Sequence, residues 1–280
     1  MKTTKEESAV LEEQTSLRKR VFYSSLLIIL GVYAVFFSPG WFFFLLLEVI
    51  SLIGLYEFYE IAEKKGIFIN KLLGLTFGAM LPCSIYFQGE SVIILVMILC
   101  LFIFNFHRSL KTNSLISTAV TVFGVFYIPF LFSFFEKVKH LQDGTLWVAY
   151  ILLVTKAGDA GAYFIGTKFG KHPLIPHISP NKTIEGAVGN FFTCVAASLA
   201  SKLYLPDVSL VHFLILGSIL GILSQFGDLA ESLIKRDAGV KDSGKIPGLG
   251  GVLDLMDSVL FTAPLTHYYL TAFLGLKTIS

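Results

Sequence analysis

Residues 21–37 read VFYSSLLIILGVYAVFF, an apolar run that follows the basic triplet Arg18-Lys19-Arg20. The residues before the triplet, 1–17, are polar and contain four glutamates, unlike the short basic flank of a secretory signal peptide. The run is also longer than the apolar region of a typical signal, and no A-x-A cleavage site follows it. The sequence therefore predicts an uncleaved first transmembrane helix.

The rest of the chain repeats this pattern. Hydrophobic residues make up 54% of the sequence and charged residues 15%, compared with about 45–50% apolar and 25% charged in soluble domains. A membrane-spanning helix needs about 20 mainly apolar residues, and breakers such as Ser38-Pro39-Gly40 separate stretches of that kind. We therefore predict an all-α integral membrane protein, a polytopic bundle of about nine transmembrane helices. The predicted segments are 21–38, 41–61, 71–87, 91–106, 115–136, 146–166, 186–205, 210–230 and 257–275.

The lysines and arginines lie mainly at alternate joints between these segments. With the N-terminus in the cytoplasm, the cytoplasmic joints and tail hold 17 of the 22 basic residues. The opposite side holds only Lys137, Lys139, Lys202 and Lys277. Because basic loops favour the cytoplasmic side, nine helices predict a C-terminus outside the cytoplasm.

Composition excludes several other classes of protein. The net charge is only +2, and no basic stripe with interleaved aromatic residues indicates nucleic-acid binding. Cys83, Cys100 and Cys194 are scattered through apolar segments without the spacing of a metal site or a redox pair. No G-x-x-x-x-G-K-[ST] phosphate loop occurs in the chain.

A first group of polar residues lies in residues 155–186, TKAGDAGAYFIGTKFGKHPLIPHISPNKTIEG. Asp159 falls in an apolar segment, where a carboxylate costs roughly 2.5–3.5 kcal/mol on insertion scales, so we expect it to face a cavity or a cation. Ser179, Asn181 and Lys182 precede a predicted helix start, where backbone N–H groups and the helix dipole favour a phosphate. The alternative is an ordinary helix cap beside lysines that mark the cytoplasmic side.

A second group lies in residues 225–258, QFGDLAESLIKRDAGVKDSGKIPGLGGVLDLMDS. Asp228 and Glu231 share a helical face because they are three residues apart, and Asp254 and Asp257 repeat that spacing where the next helix begins. Four carboxylates at two helix ends indicate a divalent cation such as Mg²⁺, which prefers oxygen ligands and often bridges to substrate phosphates. The alternative, a solvated cytoplasmic loop, explains the lysines between these carboxylates but not the carboxylates at the membrane edge.

Three glutamates lie in the second apolar segment. Glu57 and Glu60 are near its cytoplasmic end, and we expect their side chains to extend to the membrane interface. Glu48 is near the middle of the segment, so it should have a polar partner.

These assignments divide the chain into three parts. Residues 1–20 form a cytoplasmic tail, 21–145 the N-terminal transmembrane helices, and 146–280 a C-terminal catalytic transmembrane region. Loops 167–185 and 231–256 of this last region are predicted to face the cytoplasm.

The string SLIKRDAGVKDSGKIPGLGGVLDLMDS, residues 232–258, closely resembles the signature of phosphatidate cytidylyltransferases, also called CDP-diacylglycerol synthases. That signature runs S-x-x-K-R-x4-K-D-x-G and continues with P-G-H-G-G-x-x-D-R-x-D. The stretches DAGAYFIGTKFGKH and SPNKTIEG also resemble this family, in the same order along the chain. The resemblance covers about residues 155–260.

The chain departs from the signature at three places. Leu249 stands where the family has a histidine, and Leu255 where it has an arginine. The stretch between Lys241 and Pro247 is one residue shorter. The other signature residues are present: Ser232, Lys235, Arg236, Lys241, Asp242, Gly250, Gly251, Asp254 and Asp257.

The resemblance implies transfer of a cytidylyl group from CTP to phosphatidate, which yields CDP-diacylglycerol and pyrophosphate for phospholipid biosynthesis. Two anions must approach each other, so catalysis should consist mainly of charge neutralisation and alignment. The implied cofactor is Mg²⁺, and a second cation and a homodimer are left open. The implied location is the cell (inner) membrane, with the active site facing the cytoplasm, where CTP is available.

The resemblance also implies roles for individual residues. The catalytic residues would be Asp228, Asp254, Lys235 and Arg236. The substrate-binding residues would be Asp159, Ser179, Asn181, Lys182, Lys241, Asp242, Gly250 and Gly251. The metal ligands would be Asp228, Asp254 and Asp257.

Two other functions fit part of the sequence. A CTP-dependent lipid-alcohol kinase of the dolichol or phytol kinase kind would transfer the γ-phosphoryl group instead, although the K-R-x4-K-D signature favours cytidylyl transfer. An ion-coupled transporter could use Lys156, Asp159 and Asp228 as coupling sites. Many transporters consist of two related halves, and these motifs occur only once.

Overall fold

The computed structural model describes residues 25–84, 89–106, 114–244 and 250–278, and these residues are mainly helical. The predicted tail 1–20 and Leu249 lie outside the described residues. The helices of the N-terminal half are α1 (described over Ser25–Phe36), α2 (Gly40–Glu63), α3 (Lys71–Cys83), α4 (Glu90–Phe106), α5 (Ser114–Val125) and α6 (Phe134–Lys139). A π-helical turn, Phe126–Phe130, follows α5 directly and leads to α6.

The C-terminal half contains longer helices and one small sheet. Its elements are α7 (Gly144–Phe169), β1 (Pro173–Ile175), β2 (Ser179–Thr183), α8 (Ile184–Ala200) with a 3₁₀ turn at Ser201–Leu203, α9 (Leu210–Asp237), α10 (Val252–Leu260) and α11 (Thr262–Ala272). Polar side chains begin two of these helices. Thr183 accepts a hydrogen bond from the Gly186 N–H at 3.1 Å, and Ser209 accepts one from the Val211 N–H at 3.3 Å, as is usual for N-caps.

Each of the nine predicted segments is mainly helical within the described residues, and segment 257–275 is divided between α10 and α11. Among those residues, five helical stretches are long and apolar enough to cross a membrane. They are Gly40–Glu63, Ser114–Lys139, Gly144–Phe169, Ile184–Leu203 and Leu210–Asp237. Large apolar side chains such as Phe106, Leu115 and Leu203 are exposed on the outside of the bundle, which suits contact with lipid. The fold is therefore a helical bundle of membrane-protein character.

Three predicted loop boundaries are wrong: the start and the end of loop 231–256 and the start of loop 167–185. The predicted loop 231–256 is shorter, because α9 continues to Asp237 and α10 already begins at Val252. An ion pair between Lys235 and Glu231, one turn apart on α9, stabilises the extended helix end. In the predicted loop 167–185, α7 continues to Phe169, and β1 and β2 pair as an antiparallel hairpin. Prolines at 173, 176 and 180 disfavour a helix there.

The helices that carry the second polar group approach each other unusually closely. Gly227 on α9 faces the main-chain carbonyl of Asp257 on α10, and a Cβ at position 227 would overlap that carbonyl. Gly217 and Gly221 allow a similar, less tight approach of α9 to α8. Small residues let helix backbones pack closely in membrane proteins, so glycine sets the distance between α9 and α10.

The interior of the N-terminal half is largely aromatic. Phe58, Phe123 and Tyr127 pack against one another, with the rings of Phe123 and Tyr127 stacked at a centroid distance of 5.4 Å. Glu48, for which the sequence predicts a polar partner, lines a small cavity of about 10 Å³, but its buried Oε1 has no hydrogen-bond partner among the described residues. The cavity lining includes the polar residues Ser51, Ser133 and Glu136.

Candidate active site

The close crossing of α9 and α10 brings two predicted metal ligands together. Asp228 lies one residue beyond Gly227 on α9, and its carboxyl group interacts electrostatically with that of Asp257 on α10. The Asp257 residue is buried, whereas the Asp228 side chain is 39% exposed. Two carboxylates this close repel each other unless a proton or a cation lies between them.

Lys182 reaches the same place from the hairpin. Its Nζ lies 2.7 Å from Asp228 Oδ2, so the hairpin supplies a cation beside the carboxylate pair. The predicted phosphate-binding lysine and the predicted metal ligand are therefore direct neighbours.

A second lysine bridges the two helices. Lys235 on α9 is nearly buried and forms ion pairs with Glu231 on the same helix and with Asp254 on α10. Glu231 is fully buried. An unpaired charge would be costly at this depth. The two ion pairs of Lys235 therefore hold the C-terminal end of α9 against the start of α10.

Asp254 organises the segment that precedes α10. Its Oδ2 accepts hydrogen bonds from the Ser243 N–H at 3.0 Å, the Ser243 hydroxyl at 2.9 Å and the Gly251 N–H at 2.7 Å. Burial disfavours the charged form of Asp254, which precedes the predicted membrane segment 257–275. Hydrogen bonds from Lys235 and Ser243 outweigh this effect and lower the pKa of Asp254. The carboxylate is therefore ionised near neutral pH.

Asp159 has the cationic partner that the sequence predicts. Its Oδ2 accepts hydrogen bonds from Lys156 Nζ at 3.1 Å and from the Ser258 hydroxyl at 3.0 Å. Lys156 also donates to the Ser258 hydroxyl and to the main-chain carbonyl of Leu255. This group joins α7 to α10 beside Asp257, with which Lys156 interacts electrostatically.

Other predicted site residues lie at the edge of this cluster. The exposed Arg236 donates to the main-chain carbonyls of Ile178 and Val240, at 3.1 and 3.3 Å, and so ties the hairpin to the end of α9. Ser179 and Asn181 are on β2, and Asn181 is exposed. Lys241 and Asp242 are exposed in the segment after α9.

The two predicted binding glycines serve local geometry. Gly250 has a positive φ of 83°, which favours glycine. A Cβ on Gly250 would overlap the Asp254 carboxylate, and one on Gly251 would overlap the Ser243 hydroxyl.

Glu57 is a site residue that the sequence does not reveal. Its side chain, predicted to extend to the membrane interface, points to the start of α10, just before the predicted span 257–275. There it accepts the N–H groups of Val252 at 3.0 Å and Leu253 at 2.9 Å, and it lies 3.0 Å from the Ser243 hydroxyl, whose single proton it shares with Asp254. Glu60, by contrast, pairs with Lys71 away from the site.

Tyr127 is a second unpredicted neighbour of the site. Its ring packs 6.0 Å from that of Phe261, and it interacts electrostatically with Asp257, Glu231 and Asp228. Among the described residues, its buried hydroxyl has no hydrogen-bond partner. The residue lies in the π-helical turn, a feature often found at functional sites. Pro129, two residues on in the same apolar segment, was the only sequence signal for an irregular turn.

The carboxylates fit Mg²⁺ when substrate phosphates complete its ligands. Within the described ranges, no three Asp, Glu, His or Cys side chains are grouped as a metal site of their own. Mg²⁺ is commonly held by one or two carboxylates together with substrate phosphates and water. The neighbouring carboxylates of Asp228 and Asp257 are hard oxygen ligands of that kind.

Comparisons with known proteins show which family this chain belongs to. The model of the cytidylyltransferase family matches residues 18–273. A phosphatidate cytidylyltransferase of Bacillus subtilis (strain 168) is 32% identical over 240 residues, which are 82% of this chain and 89% of that protein. One of Staphylococcus aureus (strain COL) is 42% identical over 160 residues, 56% of this chain and 60% of that protein. One of Mycobacterium bovis is 34% identical over 160 residues, 57% of this chain and 52% of that protein.

The match to the Staphylococcus protein thus spans less than two thirds of that relative, whereas the family model and the Bacillus protein cover most of the chain. The residues matched by the family model include α2 to α11 and every side chain of the site described above. The chain therefore belongs to the cytidylyltransferase family.

Proposed function

We propose that the protein transfers the cytidylyl group of CTP to phosphatidate and releases pyrophosphate. Membership of the family and similarity to three phosphatidate cytidylyltransferases support this function. The observation that carries it is the cluster of Asp228, Asp257 and Lys182 at the crossing of α9 and α10. It presents acidic ligands for a cation and a basic ligand for phosphate in one place.

In this reaction a phosphate oxygen of phosphatidate attacks the α-phosphorus of CTP. A new P–O bond forms, the bond between the α-phosphorus and the bridging oxygen breaks, and pyrophosphate leaves with the electron pair. Phosphatidate is already ionised near neutral pH, so no side chain has to remove a proton. The side chains instead bind and align the two anions.

We assign the binding of phosphates first to Lys182, which is partly exposed and lies beside Asp228. Asp228 and Asp257 would hold Mg²⁺, which supplies neutralisation of the phosphate oxygens. Asp254 would contribute only through Oδ1, now paired with Lys235, because its Oδ2 already accepts three hydrogen bonds. Lys235 and Arg236 then stabilise the site from α9.

Labelled CTP tests this proposal. The purified protein is incubated with phosphatidate, Mg²⁺ and CTP that carries ³²P at either the α- or the γ-position. We expect the α-label in CDP-diacylglycerol and the γ-label in pyrophosphate. Transfer of the γ-label to a lipid would instead identify a lipid kinase, and an absence of labelled lipid would defeat both functions.

We also propose that all nine helical segments cross the membrane, with the N-terminus and the active site in the cytoplasm. Contacts between distant joints agree with this alternation. Lys65 pairs with Asp237 at 2.6 Å, which joins two predicted cytoplasmic ends. At the opposite ends, Lys137 pairs with Glu90 at 3.4 Å, and the Gln142 N–H donates to the Lys277 carbonyl at 3.1 Å.

Cysteine labelling in intact cells tests the orientation. In a variant whose three native cysteines are alanine, an impermeant maleimide should modify Thr278→Cys and leave Lys241→Cys unmodified. Both positions are exposed on the protein, so both should react after the cells are permeabilised. Modification of Lys241→Cys in intact cells would reverse the orientation and separate the site from cytosolic CTP.

A further inference from the structure

We infer that Glu57 is a positioning residue for the candidate active site. It lies on α2, in the N-terminal half, yet its carboxylate holds the start of α10 and the segment before it. We call Glu57 and its three donors, Ser243, Val252 and Leu253, the Glu57 clamp. The inference rests on the proposed function, because α10 carries Asp254 and Asp257.

The start of α10 needs such a partner. The first N–H groups of a helix have no acceptor within the helix, and the residue before α10 is Gly251, which has no side chain to cap them. Asp254 accepts the N–H of Gly251, and Glu57 accepts those of Val252 and Leu253. Two carboxylates also interact favourably with the positive end of the helix dipole.

This arrangement changes the role of the glycine-rich segment. Glycines before a helix often leave N–H groups free for a phosphate, but here carboxylates already occupy them. A Cβ on either Gly244 or Gly251 would overlap the Glu57 carboxylate. These glycines therefore make room for Glu57, and among the described residues near the start of α10 we assign the phosphates of CTP to lysines rather than to these N–H groups.

The clamp is continuous with the ion pairs of the site. The Ser243 hydroxyl contacts both Glu57 Oε2, at 3.0 Å, and Asp254 Oδ2, at 2.9 Å. Asp254 in turn pairs with Lys235 on α9. The packing of Met256 of α10 against Gly54 of α2, with its sulfur 3.1 Å from the position of an added Cβ, keeps the two helices in register.

Glu57→Gln tests the clamp, because glutamine keeps the size of the side chain and removes its charge. We expect kcat to fall about 10-fold or more, as for partners that orient metal ligands, and the Mg²⁺ concentration for half-maximal activity to rise. The KM for phosphatidate should change little. Glu57→Asp, which keeps the charge, should recover part of kcat.

Glu60→Gln is the matched control. It removes a carboxylate one turn further along α2. The Glu60 carboxylate pairs with Lys71 rather than with α10. We expect wild-type values of kcat and of the Mg²⁺ midpoint from this variant. An equal loss in Glu57→Gln and Glu60→Gln would overturn the inference.

Hydrogen exchange gives a readout that does not depend on catalysis. The amides of Val252 and Leu253 should exchange faster in Glu57→Gln than in the wild type, measured on a peptide that spans residues 250–256. Unchanged exchange, or wild-type kcat with an unchanged Mg²⁺ midpoint, would overturn the inference. A wild type without cytidylyl transfer would defeat the proposed function, while the exchange rates would still decide whether the clamp exists.

Ser243→Ala keeps the inference testable should Glu57→Gln fail to fold. This variant removes the hydroxyl that joins Glu57 to Asp254 and leaves both carboxylates in place. The Mg²⁺ midpoint should shift in the same direction, by about 2-fold or more, as expected for one hydrogen bond. An unchanged midpoint would contradict the clamp.

Discussion

The two halves of the bundle stabilise their interiors by different means. In α2 and α5, aromatic rings fill the space between the helices, and the Tyr59 hydroxyl donates to the main-chain carbonyl of Thr121 at 2.8 Å. In the C-terminal half, charged side chains instead pair with one another. Lys156 pairs with Asp159 on α7, and Lys182 of β2 pairs with Asp228 of α9. Among the described residues of the N-terminal half, Glu57 and the Tyr127 hydroxyl lie towards this cluster. We therefore propose that the C-terminal half performs the chemistry and that the N-terminal half aligns it.

Asp228→Asn should produce the largest effect. It keeps the size of the side chain while it removes a carboxylate of the proposed cation site, so we expect at least a 100-fold fall in kcat, beyond the roughly 10–100-fold typical of outer partners. Asp237→Asn is the control on the same helix, since Asp237 forms an exposed pair with Lys65. Near-normal activity of a folded Asp228→Asn variant would contradict the assignment of the chemistry to the C-terminal half.

Gly227→Ala should separate α9 from α10. The added methyl group meets the main-chain carbonyl of Asp257, which cannot rotate away. We expect the free energy of unfolding to fall by about 1–3 kcal/mol, as for overpacked interiors, together with a loss of cytidylyl transfer. Thermal unfolding and activity would be compared with those of Gly221→Ala, whose added methyl group lies 3.1 Å from Phe191 Cα of α8. Equal stability and activity of the two variants would show that the α9–α10 distance is unimportant.

Lys182→Ala should weaken the binding of substrate more than the chemical step. Loss of one hydrogen bond to a charged group is worth about 1.5–3 kcal/mol, which corresponds to a KM raised roughly 10- to 100-fold. The Mg²⁺ midpoint should stay unchanged, because lysine is not a metal ligand. Lys168→Ala, at the exposed end of α7, is the control for general loss of positive charge. An unchanged KM in steady-state kinetics would exclude Lys182 from substrate binding.

Tyr127→Phe should produce the smallest effect and tests the contribution of the N-terminal half. Since the hydroxyl has no partner among the described residues, its removal should leave thermal stability unchanged. A hydrogen bond formed only with substrate or cation-bound water would be worth about 0.5–1.5 kcal/mol, or a roughly 2- to 10-fold lower kcat. A wild-type kcat in Tyr127→Phe would show that the Tyr127 hydroxyl does not contribute to catalysis. Glu57 would then be the remaining proposed contribution of the N-terminal half.

Local patterns could predict most of the bundle because apolar length and breakers are local properties. The segment 210–230 and the helix that contains Asp159 follow from composition alone. The extension of α9 to Asp237 was missed because its end is charged rather than apolar; the local pair of Lys235 with Glu231 stabilises it, and so does the pair with Asp254 on another helix, which no local pattern reveals. The hairpin was missed because its strands are only three and five residues long.

The residues of the candidate site likewise divide into those that local patterns indicate and those that only contacts between distant residues reveal. Spacing and family resemblance identified Asp228, Asp254, Asp257 and Lys182, whose chemistry is written in adjacent residues. Glu57 contacts groups about 190 positions later in the chain, and no local pattern specifies such a contact. The side chains proposed for the chemistry could therefore be singled out from the sequence, whereas Glu57, proposed to align them, required the three-dimensional structure.

The length of α9 has a consequence for where in the bilayer the reaction takes place. Its 28 residues extend about 42 Å at 1.5 Å per residue, whereas the hydrocarbon core of a bilayer is about 30 Å thick. Asp228, 18 residues beyond Leu210, lies about 27 Å along this helix, close to the depth at which acyl chains give way to headgroups. At that height a lipid phosphate can meet the site while its tails remain among their neighbours. In the proposed reaction the acyl chains would therefore stay in the bilayer, and substrate and product would reach and leave the site by lateral diffusion within one leaflet.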